Sequence, residues 1–214
     1  MSGGFAMYPL LLCSLISWVV IFERIWSYRR LGQDLKTFHL EAINALLRND
    51  ARGNEDPHLL RNLCHRHANL PTSRLMMIAL ERLSSQDRRL RENWADAMER
   101  RRQLLNQELR QNLWALGTIA SAAPFIGLFG TVVGILRSFQ EMARSGSGGF
   151  AVVAGGISES LISTAVGIVV AVIAVVAFNA FQTRWNSLVL TIKVQTEELA
   201  EMLGAAKEGK AGGV

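Results

Sequence analysis

Four side chains in the C-terminal half carry hydroxyl or carboxyl groups inside or beside almost wholly apolar runs: Thr131, Ser163, Thr164 and Glu159. A hydroxyl both donates and accepts hydrogen bonds. Surrounded by hydrocarbon, it either lines a wet path or bonds back to a carbonyl on its own helix. A carboxylate at membrane depth is costly unless it faces protein or water, and at the rim it simply reaches solvent. Both readings stand for Glu159. The chemistry on offer is the relay of protons or ions. The apolar runs hold no His-x-x-His, Ser-Lys dyad or paired carboxylates, so no enzyme activity and no cofactor are expected.

Other reactive residues lead nowhere further. Cys64-His65-Arg66-His67 offers metal-ligand types. Sequence neighbours do not converge on one helix face, and no second cluster completes four ligands. The string reads as a surface patch on a polar helix, with no metal. Cys13 lies in an apolar run, so a pairing with Cys64 is not expected. Gly146-Ser147-Gly148-Gly149 lacks a following Lys-Ser/Thr and is no phosphate loop.

The elements that position these groups are apolar and long. Phe5 to Phe22 is an 18-residue run without charge, Leu113 to Leu136 a run of 24, and Ser160 to Phe181 a run of 22. Each is long enough to cross a bilayer. The first has no positive charge before it and Glu23, Arg24, Arg29 and Arg30 after it, the reverse of a cleaved signal peptide. It reads as a retained anchor with its N-terminus outside.

Charge sets the direction. The net charge is +5, and residues 23–112 hold 17 Lys and Arg, residues 137–156 two, and the tail from Gln182 four. The positive-inside rule puts the long loop and the tail in the cytoplasm and the hairpin outside. No zinc-finger spacing, RNP-like motif or basic tail is present, which excludes nucleic acid as the reason for the basic balance.

The long loop reads as helical. Leu35, Phe38, Ala42 and Leu46 share a face, with Asn49-Asp50 and Gly53-Asn54 as breakers after it. Pro71-Thr72-Ser73 opens a further helix, Leu75 to Leu83. Leu90, Trp94, Ala97, Arg101 and Leu104 keep a heptad-like spacing. No Gly or Pro follows before the second span, which predicts one unbroken helix from about Asp87 to about Ala143, with a break near Gln111 as the alternative. SGSGG, from Ser145 to Gly149, predicts the turn between the second and third spans, and the stretch from Ala205 predicts disorder.

The second span carries Ala120, Pro124, Gly127, Thr131 and Gly134 at alternating four and three spacing, with Gly130 and Gly134 as GxxxG. The third carries Ser160, Thr164, Gly167, Ala171 and Ala174 at the same spacing. Each set forms a smooth stripe. Such stripes let helices approach closely in lipid, and packing between neighbouring protomers is expected of Pro124, Gly127, Gly130, Gly134 and Gly167.

The string Ala123 to Gly134, APFIGLFGTVVG, resembles the AP-x-x-GL-x-GTV-x-G signature of the ExbB/TolQ/MotA-type proton-channel family. Gly156 to Ile168, GISESLISTAVGI, resembles its GI-x-EAL-x-x-TA-x-GL signature, and Phe178-Asn179 its Tyr/Phe-Asn close. Two positions depart. Glu159-Ser160-Leu161 replaces EAL, small for small. Ala171-Val172-Ile173-Ala174 replaces a proline-bearing AIPA string, so the kink proline would give is not expected.

The resemblance implies an all-α membrane protein with three transmembrane helices and long cytoplasmic helical extensions, assembled as a homopentameric ring in the bacterial inner membrane. The implied division is 1–28 for the first span, 29–112 for the cytoplasmic helical region, 113–181 for the second and third spans with a short periplasmic hairpin, and 182–214 for a cytoplasmic helix and disordered tail. It implies that Thr131, Thr164 and Glu159 line a proton route, with Ser163 beside them. It also implies a dimer of an ExbD/TolR-like single-span protein that brings a transmembrane Asp into the pore. This chain has no Asp in any span. A TonB/TolA-like or motility component is implied downstream, driven by rotation or force. Import, envelope maintenance and gliding stay open as the task, as does Na+ beside H+. The competing reading is a static scaffold or anchor without ion conduction.

Overall fold

In the computed structural model, which describes residues 6–51, 57–89, 93–145 and 150–211, the described residues are helical apart from short turns. Six helices follow one another among the described residues: α1 (Met7–Ala51), α2 (Pro57–Arg66), α3 (Pro71–Ser84), α4 (Trp94–Arg110), α5 (Leu113–Ser145) and α6 (Phe150–Ala211). Three are long and apolar enough to cross a membrane, over Met7–Leu47, Leu113–Arg144 and Val153–Met202. These contain the second and third expected spans whole and the first from Met7 onward. Met1 to Phe5, the Gly53-Asn54 breaker, Leu90, the Gly146–Gly149 turn and residues 212–214 lie outside the described residues.

The chain forms two compact units, Met1–Ile25 with Asn112–Thr183 and Trp26–Gln111 with Arg184–Val214. In the first, the start of α1 packs on α5 and α6 through Leu10, Ile119, Ala123, Val170, Ala171 and Ala174. The outward faces stay apolar: Tyr8, Trp18, Phe22, Phe125, Phe129, Val132 and Val176 are all exposed. Water would penalise so continuous an apolar surface, whereas hydrocarbon would not.

The second unit has a core of the kind found in soluble helical proteins. Leu35, Phe38 and Ala42 on α1 meet Leu63 and Cys64 on α2, Leu75 and Met76 on α3, Leu105 on α4 and Leu199 on α6. The expected α1 face is therefore the one buried, and α3 opens at Pro71 as its Pro-Thr-Ser start predicts. The α4 face is displaced from expectation. Ala97 is buried, but Leu104 is 50% exposed and Leu105 takes the core position beside Met98.

Cys64 also differs from the expected surface patch. Leu60, Leu63 and Cys64 line the inner face of α2, while His65 and Arg66 face out. The Ser73 hydroxyl donates to the Cys64 carbonyl at 2.6 Å. Burial pushes the Cys64 thiol up to about 11, against a smaller opposing pull from Ser73. The nucleophile is the thiolate, so at pH 8 this residue is a neutral, inert thiol. In a Cys13→Ala background, maleimide at pH 8 should leave the native protein unlabelled and modify it only after denaturation. Rapid native labelling would place Cys64 outside the core. No group of metal-ligating residues occurs among the described residues.

The expected unbroken helix from Asp87 to Ala143 is interrupted. α4 starts only at Trp94 and ends at Arg110, Gln111 is extended with ψ 150°, and Asn112 has φ 65° before α5 begins. Asparagine tolerates this left-handed backbone better than other residues with a Cβ. Its amide donates to Glu23 Oε2 at 3.3 Å, which anchors the turn. A β-branched residue here should cost about 1–2 kcal/mol in backbone strain alone. Asn112→Val should accordingly lower the thermal midpoint of the detergent-solubilised protein, with Asn112→Gly retaining most of it. Equal midpoints would remove the strain argument.

At the other end, α6 runs without a break from the third span through Ala211, so residues 205–211 are helical rather than disordered. No proline interrupts it, as the Ala171-Val172-Ile173-Ala174 string predicts. Once a stem is folded, each further Ala, Lys or Glu extends a helix at little cost.

Candidate functional site

The site is built on the seam between α5 and α6. A Cβ added at Gly127 would lie 2.9 Å from the Ser163 carbonyl oxygen and 2.9 Å from Thr164 Cα. One added at Gly167 would lie 2.7 Å from the Ala123 carbonyl oxygen and 3.2 Å from Gly127 Cα. Gly130 faces Ser163 and Ala6, Gly134 faces Ser160, and Gly156 faces Ser138. Numbers rise along α5 as they fall along α6, so the two helices run antiparallel with their backbones in near contact. The small stripes are therefore used within one chain, where packing between protomers was expected. A helix that follows only a few residues later in the chain is the first surface such a stripe meets. Pro124 lies inside α5 on the same stretch, half-buried.

The sequence-predicted residues take different positions on this seam. Thr131 is buried, and its hydroxyl donates to the Leu128 carbonyl at 2.7 Å. Ser163 is almost fully buried against Gly130. Thr164 is half-buried, and its hydroxyl oxygen is enclosed without a hydrogen-bond partner among the described residues. Glu159 is exposed. On helices turning about 100° per residue, Thr131 stands about 40° round from Gly127, and Thr164 about 40° round from Ser160. Equal offsets on antiparallel helices put both threonines on the same flank of the seam. Glu159 stands about 140° from Thr164 and does not share its face.

Thr164 differs from five other hydroxyls of these helices. Thr118 donates to Trp114, Ser121 to Gly117, Ser138 to Gly134, Ser160 to Ile157 and Thr183 to Asn179, each at 2.8–3.0 Å and each on its own helix. An enclosed hydroxyl left unpaired costs about 1–3 kcal/mol. Such a group has a use when another molecule completes its bonding.

One residue escaped the sequence reading. Arg24, at the end of the first span, is 7% exposed and lies 3.6 Å from Glu23. The charged pair after the apolar run was its only signal.

Three helices long and apolar enough to cross a membrane, two of them pressed together at glycine with polar groups along one flank, define a multi-span membrane protein. Residues 67–194 match the MotA/TolQ/ExbB proton channel family. The chain is 30% identical to the biopolymer transport protein ExbB of Salmonella typhimurium over 186 residues, 87% of this chain and 75% of that protein. It is 32% identical to the Tol-Pal system protein TolQ of Pseudomonas aeruginosa over 187 residues, 86% of this chain and 79% of that one. It is 31% identical to a putative ExbB-like biopolymer transport protein of Synechocystis over 209 residues, covering 93% and 90%. The chain belongs to the MotA/TolQ/ExbB proton channel family, whose members are proton-motive-force-linked subunits of the bacterial inner membrane.

Proposed function

We propose that this chain is the pore-forming ring subunit of an ion-driven motor complex, a homopentamer whose second and third spans surround the single spans of an ExbD/TolR-like dimer. The observation that supports this reading most is the unpaired Thr164 hydroxyl on the flank it shares with Thr131. A carboxyl group or water in the pore would complete its bonding, and the absence of Asp from every span of this chain makes the partner the source of the carboxyl. Thr131, Thr164, Ser163 and Glu159 are the proposed path residues. The names of the relatives point to biopolymer transport or the Tol-Pal system as the task, with force passed on through the partner. The chain does no covalent chemistry in this reading.

The static-scaffold reading draws on one observation, the bond from Thr131 to Leu128, which closed packing alone would produce. Proton uptake separates the two. Vesicles holding this chain and its single-span partner should acidify under an imposed gradient, and vesicles with no flux above the empty-lipid level would favour the scaffold.

The proposed orientation has the N-terminus and residues 146–149 in the periplasm and residues 52–56 and the C-terminus in the cytoplasm, following the charge asymmetry. Reporter fusions at Gly146 should read periplasmic and those at Asn54 cytoplasmic. The same side for both would remove the three-span topology.

A further inference from the structure

The unit formed by Trp26–Gln111 and Arg184–Val214 carries two open grooves of opposite charge, one on each side of α4. The first, about 770 Å³, lies between α3 and α4. Arg82, Arg100 and Arg101 line it with Glu81, around Ile78 and Leu104. None of those three arginines makes an ion pair among the described residues. The second, about 660 Å³, lies between α4 and the end of α6. Asp96, Glu99, Glu197 and Glu201 line it with Arg102, around Trp94 and Met98. Arg102 is engaged there with Glu99 at 2.5 Å and Glu197 at 3.7 Å. Asp96 and Glu201 make no ion pair among the described residues.

Each groove thus has an excess of one sign beside an apolar floor. The two faces of α4 that line them are about 140° apart at 100° per residue. Leu104, 50% exposed at the basic groove, is an apolar side chain left half uncovered among the described residues.

We propose that these grooves are the two halves of one interface between copies of this chain, the basic groove of one protomer seated against the acidic groove of the next. Charge complementarity within a single sequence carries the argument. Three arginines that make no ion pair among the described residues give a basic surface, and the same unit presents an acidic one on its other side. Two different surfaces meeting in this way form a head-to-tail contact, which propagates around a ring and closes. This deepens the ring reading above and rests on it, by naming the surface through which cytoplasmic parts of neighbouring subunits meet. Opposite potentials orient such contacts, and unpaired like charges across them exclude a wrong register.

The test uses full-length protein in native membranes, in a Cys13→Ala background. Arg101→Cys and Asp96→Cys, placed together in one chain, should give under mild oxidation a ladder of cross-linked species ending in a closed ring. Either substitution alone should give none, because a head-to-tail contact never sets a residue against its own copy. A dimer band from either single variant, or no ladder from the double, overturns the proposal. Arg100→Glu with Arg101→Glu should weaken the detergent-solubilised oligomer at least tenfold in dilution, and adding Asp96→Arg with Glu201→Arg should restore it. An unchanged oligomer in the Arg100→Glu, Arg101→Glu variant, together with lost binding to vesicles of anionic lipid, would reassign the basic groove to a membrane surface and overturn the proposal. None of these readouts needs an ion gradient. A failed ladder therefore leaves conduction standing, and absent conduction leaves the ladder standing.

Discussion

Thr164→Val should yield a complex that assembles at the level of the unaltered protein and performs no ion-driven work. Valine keeps the branched shape and removes only the hydroxyl. That hydroxyl is enclosed and has no hydrogen-bond partner among the described residues. Its removal takes away a desolvation penalty of about 1–3 kcal/mol, so the thermal midpoint should stay level or rise. Function should move the opposite way. If the hydroxyl completes its bonding with water or a partner carboxyl in the pore, the relay is broken at that point. Proton uptake by reconstituted vesicles should fall to the empty-lipid level with intact stoichiometry. Thr131→Val should fall between this variant and the unaltered protein, because its hydroxyl is already bonded to Leu128. Full proton uptake in Thr164→Val would count against the channel assignment.

Gly167→Ala should destabilise the protein markedly, although it adds one methyl group. In an exposed helix this change stabilises by about 1 kcal/mol. At Gly167 the new carbon would lie 2.7 Å from the Ala123 carbonyl oxygen and 3.2 Å from Gly127 Cα. Both obstacles are backbone atoms, so no rotamer change relieves them. Separating α5 from α6 also loses the contacts at Gly127 and Gly134, and overpacking of this kind costs about 1–3 kcal/mol or more. Gly155→Ala is the control, since a Cβ there meets nothing within 4 Å. Size-exclusion profiles after heating should show Gly155→Ala level with the unaltered protein and Gly167→Ala aggregated. A normal profile for Gly167→Ala would mean the helices stand further apart than described.

The helical spans and the stripe along α5 and α6 were legible because apolar run length and residue size are local properties of the chain. The α1 face through Leu35, Phe38 and Ala42 was legible for the same reason, since spacing alone defines it. What escaped was set by partners. Leu104 and Leu105 are adjacent leucines, and only the direction of the core decides which is buried. The break at Gln111-Asn112 depends on Glu23, 89 residues away in sequence, accepting from Asn112. Asn112 after Arg110 was nonetheless a usable stop signal, given the tolerance of asparagine for left-handed backbone. Cys64 read as polar because its neighbours His65 and Arg66 are polar, while the far side of the same turn faces Phe38 and Leu75. Thr131 and Thr164 looked alike in sequence, since each has carbonyls three and four residues behind it. Only the described geometry distinguishes the one that uses them.

The self-bonded hydroxyls also bear on how the protein is made. A chain enters the bilayer segment by segment, and each polar group must be satisfied before it leaves water. Ser121, Ser138 and Ser160 meet that condition alone, because their acceptors lie three or four residues back on the same helix. Their segments can pass from the insertion machinery into lipid with no neighbour present. Thr164 leaves the carbonyls behind it unused in the folded subunit, and its hydroxyl finds no partner among the described residues. The third span is therefore the one whose comfort in the membrane depends on what arrives after it, and the newly made subunit carries a built-in preference for finding its companions.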